Sequence, residues 1–245
     1  MDVTHPGAPE SDVQRFFPML SRRIVFLLIA LVVVLTFAFR AKAASKGPIP
    51  APTTDDQLSS ASTSQTAVFA GGCFWGTQSV FERVKGVTGT TVGYAGGSAA
   101  TATYAQVTTE TTGHAESVRV VFDSSKITYG TLLRIFFSVA HDPTQVGGQG
   151  PDEGPSYRSA IFYLNDDQKR IAEAYIAQLT EEHAFRSRIT TEVTPLKGFY
   201  RAEDYHQDYA YNNPDNPYIM VCDRPKIGAL KKAFPDLFEE YTPKR

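Results

Sequence analysis

Between Thr66 and Phe234 the apolar residues change their period several times, and each change predicts an element. Residues 66–70 form a short apolar run of strand formers. Val80, Phe81 and Val84 then recur at the spacing of one helix face within 77–85. Residues 87–94 predict a second strand, interrupted by Gly89 and Gly93, and 115–122 alternate as a third. Leu132, Leu133, Ile135, Phe136, Phe137 and Val139 mark a deeply buried helix over 128–140. A strand follows at 159–164, then a helix capped by Asp166-Asp167 that aligns Ile171, Ala174, Tyr175 and Gln178. Another strand is predicted at 189–193, an aromatic and irregular tail from Pro195, and a last helix over 226–234. Strands and helices mix without strict alternation, which predicts a two-layer α/β fold with helices on a mixed sheet. Two stretches, 96–112 and 141–157, read as long loops, where binding residues tend to gather.

The N-terminal part has a different pattern. Residues 24–39 are apolar and uncharged behind Arg22-Arg23, short for a membrane span and long for a signal-peptide core. Ala41-Lys42-Ala43 offers a small-x-small cleavage site, while Arg40 directly after the apolar run argues for retention. Residues 1–43 are therefore predicted to be a signal peptide or signal anchor. Either would place the rest of the chain outside the cytoplasm, periplasmic or secreted, with membrane attachment through 24–39 if uncleaved. Residues 44–65, rich in Pro, Ser, Thr and Ala, read as a flexible linker. Residues 66–245 suffice for one domain with a full core.

Composition removes several classes of function. The chain has 245 residues, 20% of them charged, and a formal net charge of −2, which gives no electrostatic case for nucleic acid. Two cysteines make no disulfide framework, and the five scattered histidines lack zinc spacing, so no metal site is predicted.

The densest chemistry lies in Gly71-Gly72-Cys73-Phe74-Trp75-Gly76, which holds the only tryptophan of the chain. Cys73 falls where the first strand turns into the first helix. Unpaired amides and the helix dipole there favour an anion, and the thiolate is the reactive form of cysteine. Phe74 and Trp75 are placed to wall an apolar pocket over the sulfur. A reactive cysteine needs a proton partner. Glu116, in Gly113-His114-Ala115-Glu116, leads an apolar strand, and a carboxyl against apolar walls becomes an acid near neutrality. Tyr104 and Tyr157 lie in the two long loops, where a phenol can donate to a substrate oxygen. Asp152 shares the second loop. Each of these loop residues has an ordinary reading as packing or turn.

Together the segments resemble peptide methionine sulfoxide reductase A. The resemblance rests on Gly72-Cys73-Phe74-Trp75-Gly76, Gly93-Tyr94-Ala95-Gly96-Gly97, Gly113-His114-Ala115-Glu116 and His141-Asp142-Pro143-Thr144-Gln145. It continues through Gln149-Gly150, Tyr157-Arg158-Ser159-Ala160-Ile161, Tyr205-His206-Gln207-Asp208-Tyr209 and Asn216-Pro217-Tyr218-Ile219. It implies a plait-like (ferredoxin-like) α/β fold and thiol-dependent reduction of methionine sulfoxide of the S epimer, free or in proteins. By the same resemblance Cys73 is the nucleophile, Phe74 and Trp75 hold the S-methyl group, and Glu116 is the acid. Tyr104 and Tyr157 bind the sulfoxide, and Asp152 is the family's acidic partner in that loop. No bound cofactor is implied, only an external, thioredoxin-like thiol reductant.

One position departs from the family pattern. A resolving cysteine often follows Pro-Tyr directly, but here that residue is Ile219, and Cys222 comes three residues later. Cys222 either resolves a Cys73 sulfenic acid from a mobile tail or is a spectator, and the local pattern favours the spectator. Two other readings remain: a Cys-His thiol hydrolase using Cys73 with His114 or His206, and a membrane-tethered module that binds without turnover.

Overall fold

The computed structural model describes residues 49–243. The predicted signal or anchor, including 24–39, lies outside the described residues. Among the described residues no helix is long and apolar enough to cross a membrane.

Strand β1 (Ser64–Gly71) runs through the middle of a six-stranded sheet. Helix α1 (Phe74–Phe81), strands β2 (Val87–Ala95) and β3 (Ala115–Asp123), and helix α2 (Tyr129–Ile135) follow. A two-residue ribbon, β4 (Gly148–Gln149) with β5 (Asp152–Glu153), decorates the second long loop. Strand β6 (Ser159–Tyr163), helix α3 (Asp166–Glu181) and strands β7 (Glu192–Pro195) and β8 (Phe199–Arg201) complete the sheet, and helix α4 (Arg224–Ala233) closes the fold.

The sheet order is β7-β6-β1-β3-β2-β8. Its inner four strands, β6-β1-β3-β2, are antiparallel, with α1 and α2 as the connections of a β-α-β-β-α-β plait. Among the described strands only the β6–β7 pair is parallel. This is the mixed two-layer sheet the sequence pattern predicts.

Strand alternation gives the sheet two buried faces. Ala67 and Phe69 of β1 point to the helices. There the Phe69 ring stacks on Phe81 of α1 at 5.3 Å and on Phe136, just past α2, at 5.0 Å. Val68 and Ala70 point the other way, into a smaller cluster with Ala95, Ala115, Ala160 and Phe162. Packing on both sides fixes the register, because a one-residue slip would exchange the two sets.

Several elements differ from the sequence reading for identifiable reasons. Asn165, not the Asp166-Asp167 pair, caps α3 by accepting from the Gln168 amide, and the aspartates sit in the first turn. The seventh strand begins at Glu192 because Thr190 is bonded to Pro143 and Gln145 of the neighbouring loop. The irregular tail contains β8, which pairs Tyr200 with Tyr94. Residues 49–63, inside the predicted flexible linker, lack regular structure but are strapped to the domain. The Ile49, Pro50 and Ala51 carbonyls accept from Arg134, Tyr175 and Gln178, and Asp55 accepts from Thr128 and the Gly130 amide. Long side chains on α2 and α3 hold a strand-free segment whose own composition could not.

Candidate active site

Cys73 is the N-cap residue of α1, directly after β1. Gly72 makes the turn with φ of 81°, and the Gln149 side chain packs where a β-carbon would stand. The thiol is buried. Burial pushes its pKa well above the ordinary value, and the Glu116 and Asp223 carboxylates push it further. The Trp75 amide pulls it down by a smaller amount. The helix end contributes as the sequence suggests, but desolvation and negative neighbours outweigh it.

Glu116 sits on β3, and its Oε2 accepts from the Phe74 amide at 3.0 Å. The residue is 3% exposed, and burial raises its pKa to about 8, against the Phe74 hydrogen bond that favours the ionised form. At neutral pH the carboxyl is therefore largely protonated. The α1 N-terminus thus presents two groups, a thiol on its capping residue and a neutral carboxylic acid on its first amide.

The opposite wall comes from loops and the C-terminal tail. Tyr104 opens a single helical turn at Tyr104–Val107, where its amide donates to Glu203 Oε1 at 2.9 Å. Glu203 also accepts from the Tyr94 hydroxyl, which ties this turn to the sheet. Tyr157 follows Ser156, whose amide and hydroxyl both bond to Glu110 at 2.9 and 2.8 Å. Burial raises both phenols, with Glu116 and Cys73 adding to it, so they remain O–H donors. Asp152, in β5, accepts a short hydrogen bond from the Tyr218 hydroxyl. The structure therefore gathers Cys73, Phe74, Trp75, Glu116, Tyr104, Tyr157 and Asp152 into one neighbourhood.

Phe74 and Trp75 form an aromatic wall with tail residues. The Trp75 ring stacks on Tyr209 at 3.8 Å and meets Tyr218 edge-on, while its Nε1 donates to His206 Nδ1 at 3.2 Å. Tyr218, His206 and Tyr209 acquire their roles only through this packing. The segments 205–209 and 216–219 signalled family resemblance without revealing which face would meet Trp75. Cys222 lies in the π-helical turn Ile219–Asp223, half-buried, and shares Asp223 and Asp152 as charged neighbours with Cys73.

Neither histidine suits a Cys-His hydrolase. His114 accepts from the Gly97 amide at Nδ1, and its Nε2 lies 3.0 Å from the Ser98 carbonyl. His206 accepts from Trp75, and burial lowers its pKa. His114 is engaged at both ring nitrogens and His206 at Nδ1, by Trp75.

The family model described as peptide methionine sulfoxide reductase matches residues 65–237. The chain belongs to the peptide methionine sulfoxide reductase family. It is 53% identical to peptide methionine sulfoxide reductase MsrA 2 of Mesorhizobium japonicum over 72% of this chain and 91% of that one. It is 50% identical to the MsrA 2 protein of Synechocystis over 77% of this chain and 89% of the relative. Among solved structures it is similar to Mxr1 of Saccharomyces cerevisiae in reduced form, with TM-score 0.58 and 31% identity over 67% of this chain and 92% of that one. It is also similar to methionine sulfoxide reductase A of Corynebacterium diphtheriae, with TM-score 0.54 and 34% identity over 71% and 90%. The reductase performs thiol-dependent reduction of methionine sulfoxide, and the hydrolase reading falls.

Proposed function

We propose that the reductase acts on the S epimer through a Cys73 sulfenic acid, with Glu116 as the acid. The observation that carries this is the Phe74 amide hydrogen-bonded to Glu116 Oε2, one residue from the thiol. A nucleophile and a neutral proton donor then serve the two atoms of one S=O bond. The S-methyl group packs on Phe74 and Trp75, and the oxygen faces Glu116, Tyr104 and Tyr157. As Cys73 sulfur bonds to the sulfoxide sulfur, Glu116 gives its proton to the oxygen and the phenols stabilise the developing charge. Hydroxyl transfer to Cys73 releases the thioether, and the thiol proton restores Glu116. In net terms, Cys–SH and sulfoxide become Cys–SOH and methionine. Asp152, through Tyr218, positions the tail over the pocket.

The sulfenic acid then reacts with an external, thioredoxin-like thiol, releasing water, and a second thiol of the reductant frees Cys73 as a disulfide forms. Cys222 is a spectator in this scheme. The apolar segment 24–39 further supports export, with the domain working outside the cytoplasm and attached to the membrane if the segment is retained.

The test is single turnover of the pre-reduced chain on resolved sulfoxide epimers with thiol counting, beside Cys73→Ser and Cys222→Ser. One thiol lost in both wild type and Cys222→Ser, with the S epimer only, supports the scheme. Loss of two thiols in wild type makes Cys222 the resolver. Turnover by Cys73→Ser overturns the assignment.

A further inference from the structure

A second carboxyl lies beside the α1 N-terminus, on the tail. Asp223 is 0% exposed, and neither of its oxygens has a hydrogen-bond partner of good geometry among the described residues. It packs on the first turn of α1 so closely that a β-carbon at Gly76 would collide with Oδ1. Among the described residues its counter-charge is Lys226, whose ammonium is 3.3 Å from Oδ1 and whose side chain is 20% exposed. Burying an aspartate without hydrogen bonds costs stability, and replacing it by a neutral residue would avoid that cost.

We propose that Asp223, paired with Lys226 on the first turn of α1, is a positioning residue that keeps Cys73 protonated until substrate arrives. This rests on Cys73 being the nucleophile. The carboxylate packs against the first turn of α1, the helix whose N-cap is Cys73, so the thiol proton leaves against negative charge from the tail. The other groups facing the thiol differ in their effect. Glu116 on β3 is largely neutral at pH 7, and Tyr104, Tyr157 and Tyr218 are neutral phenols. Asp152 in the ribbon is a smaller opposing charge than Asp223. His141, behind Gly71, is held neutral by burial, with its pKa lowered to about 3. Burial raises the Asp223 pKa, and the Lys226 ammonium beside it opposes that rise. A thiol kept protonated is a poor nucleophile toward stray oxidants and alkylating agents.

The test is alkylation of Cys73 in the full chain by iodoacetamide across pH, read by mass of the Cys73 peptide so that Cys222 does not interfere. Asp223→Asn should speed alkylation at neutral pH about tenfold, since a neighbouring charge shifts a titration by roughly one unit or more. Lys226→Met, on the rim, lets Asp223 protonate and should speed alkylation by less. The double variant should match Lys226→Met within twofold. Unchanged or slower alkylation in Asp223→Asn overturns the proposal. If that variant does not fold, unchanged or slower alkylation in Lys226→Met overturns it instead. Alkylation needs no turnover, so failure here leaves the reductase scheme standing, and failure of the scheme would show in thiol counting alone.

Discussion

The site has two halves built differently. One is borne by the sheet: Cys73 and Phe74 leave β1, Glu116 lies on β3, and Phe69 stacks between Phe81 and Phe136 beneath them. The other is borne by loops and tail: Tyr104, Tyr157, Asp152 and Tyr218 hang from short turns cross-linked by Glu203, Glu110 and one phenol–carboxylate bond. The sheet half fixes Cys73 and Glu116 to two adjacent inner strands of the sheet and the turn that leaves one of them. In the proposed scheme the loop half supplies hydroxyl donors to the sulfoxide oxygen, which need only approximate placement. Bond-making chemistry requires fixed geometry, whereas substrate capture tolerates adjustment.

Substitutions on each side should separate the halves, and the largest effect belongs to the sheet. Cys73→Ser should abolish sulfoxide turnover, leaving binding of an oxidised peptide nearly intact, as measured by turnover and titration on one preparation. Glu116→Gln should lower kcat by about 10²–10⁴-fold with little change in KM, because it removes a proton needed only in the transition state. Phe81→Ala should leave the site chemistry in place but cost about 3–5 kcal/mol of stability in urea unfolding, by opening a cavity under β1. In the loop half, Tyr104→Phe or Tyr157→Phe should cost about 10–100-fold each in kcat/KM, with their double variant losing more than either. Tyr218→Phe should have the smallest effect, about threefold to tenfold and mainly in KM, since it loosens Asp152 without touching the reacting atoms. A Tyr218→Phe loss as large as that of Glu116→Gln would erase the distinction between the halves.

The two halves also differ in how far the sequence shows them. The apolar run of β1, the alternation in β3 and the glycines around Cys73 place those strands and the turn directly, because such local patterns report burial on a pleated face. Loops and tail carry no such period. The role of Tyr218 depends on a contact with Asp152 across the ribbon, and that of Glu203 on reaching Tyr94 and Tyr104 from the tail. The Cys73 environment differs from the sequence reading for a related reason: its position at a helix start is local and visible, whereas the Glu116 and Asp223 charges come from segments distant in sequence. The strap at 49–63 was hidden because its partners, Arg134, Tyr175 and Gln178, lie on helices far along the chain.

The central claim is that a neutral Glu116 beside Cys73 supplies the proton to the sulfoxide oxygen. Single-turnover rates for a methionine sulfoxide peptide, measured from pH 6 to 10 in wild type and Glu116→Gln, test it most directly. An acid must hold its proton to act, so the wild-type rate should be full below a pH of about 8 and fall above it as the carboxyl ionises. The variant should be slow throughout and lack that fall. A variant with wild-type rate, or one showing the same decline near that pH, would contradict the account.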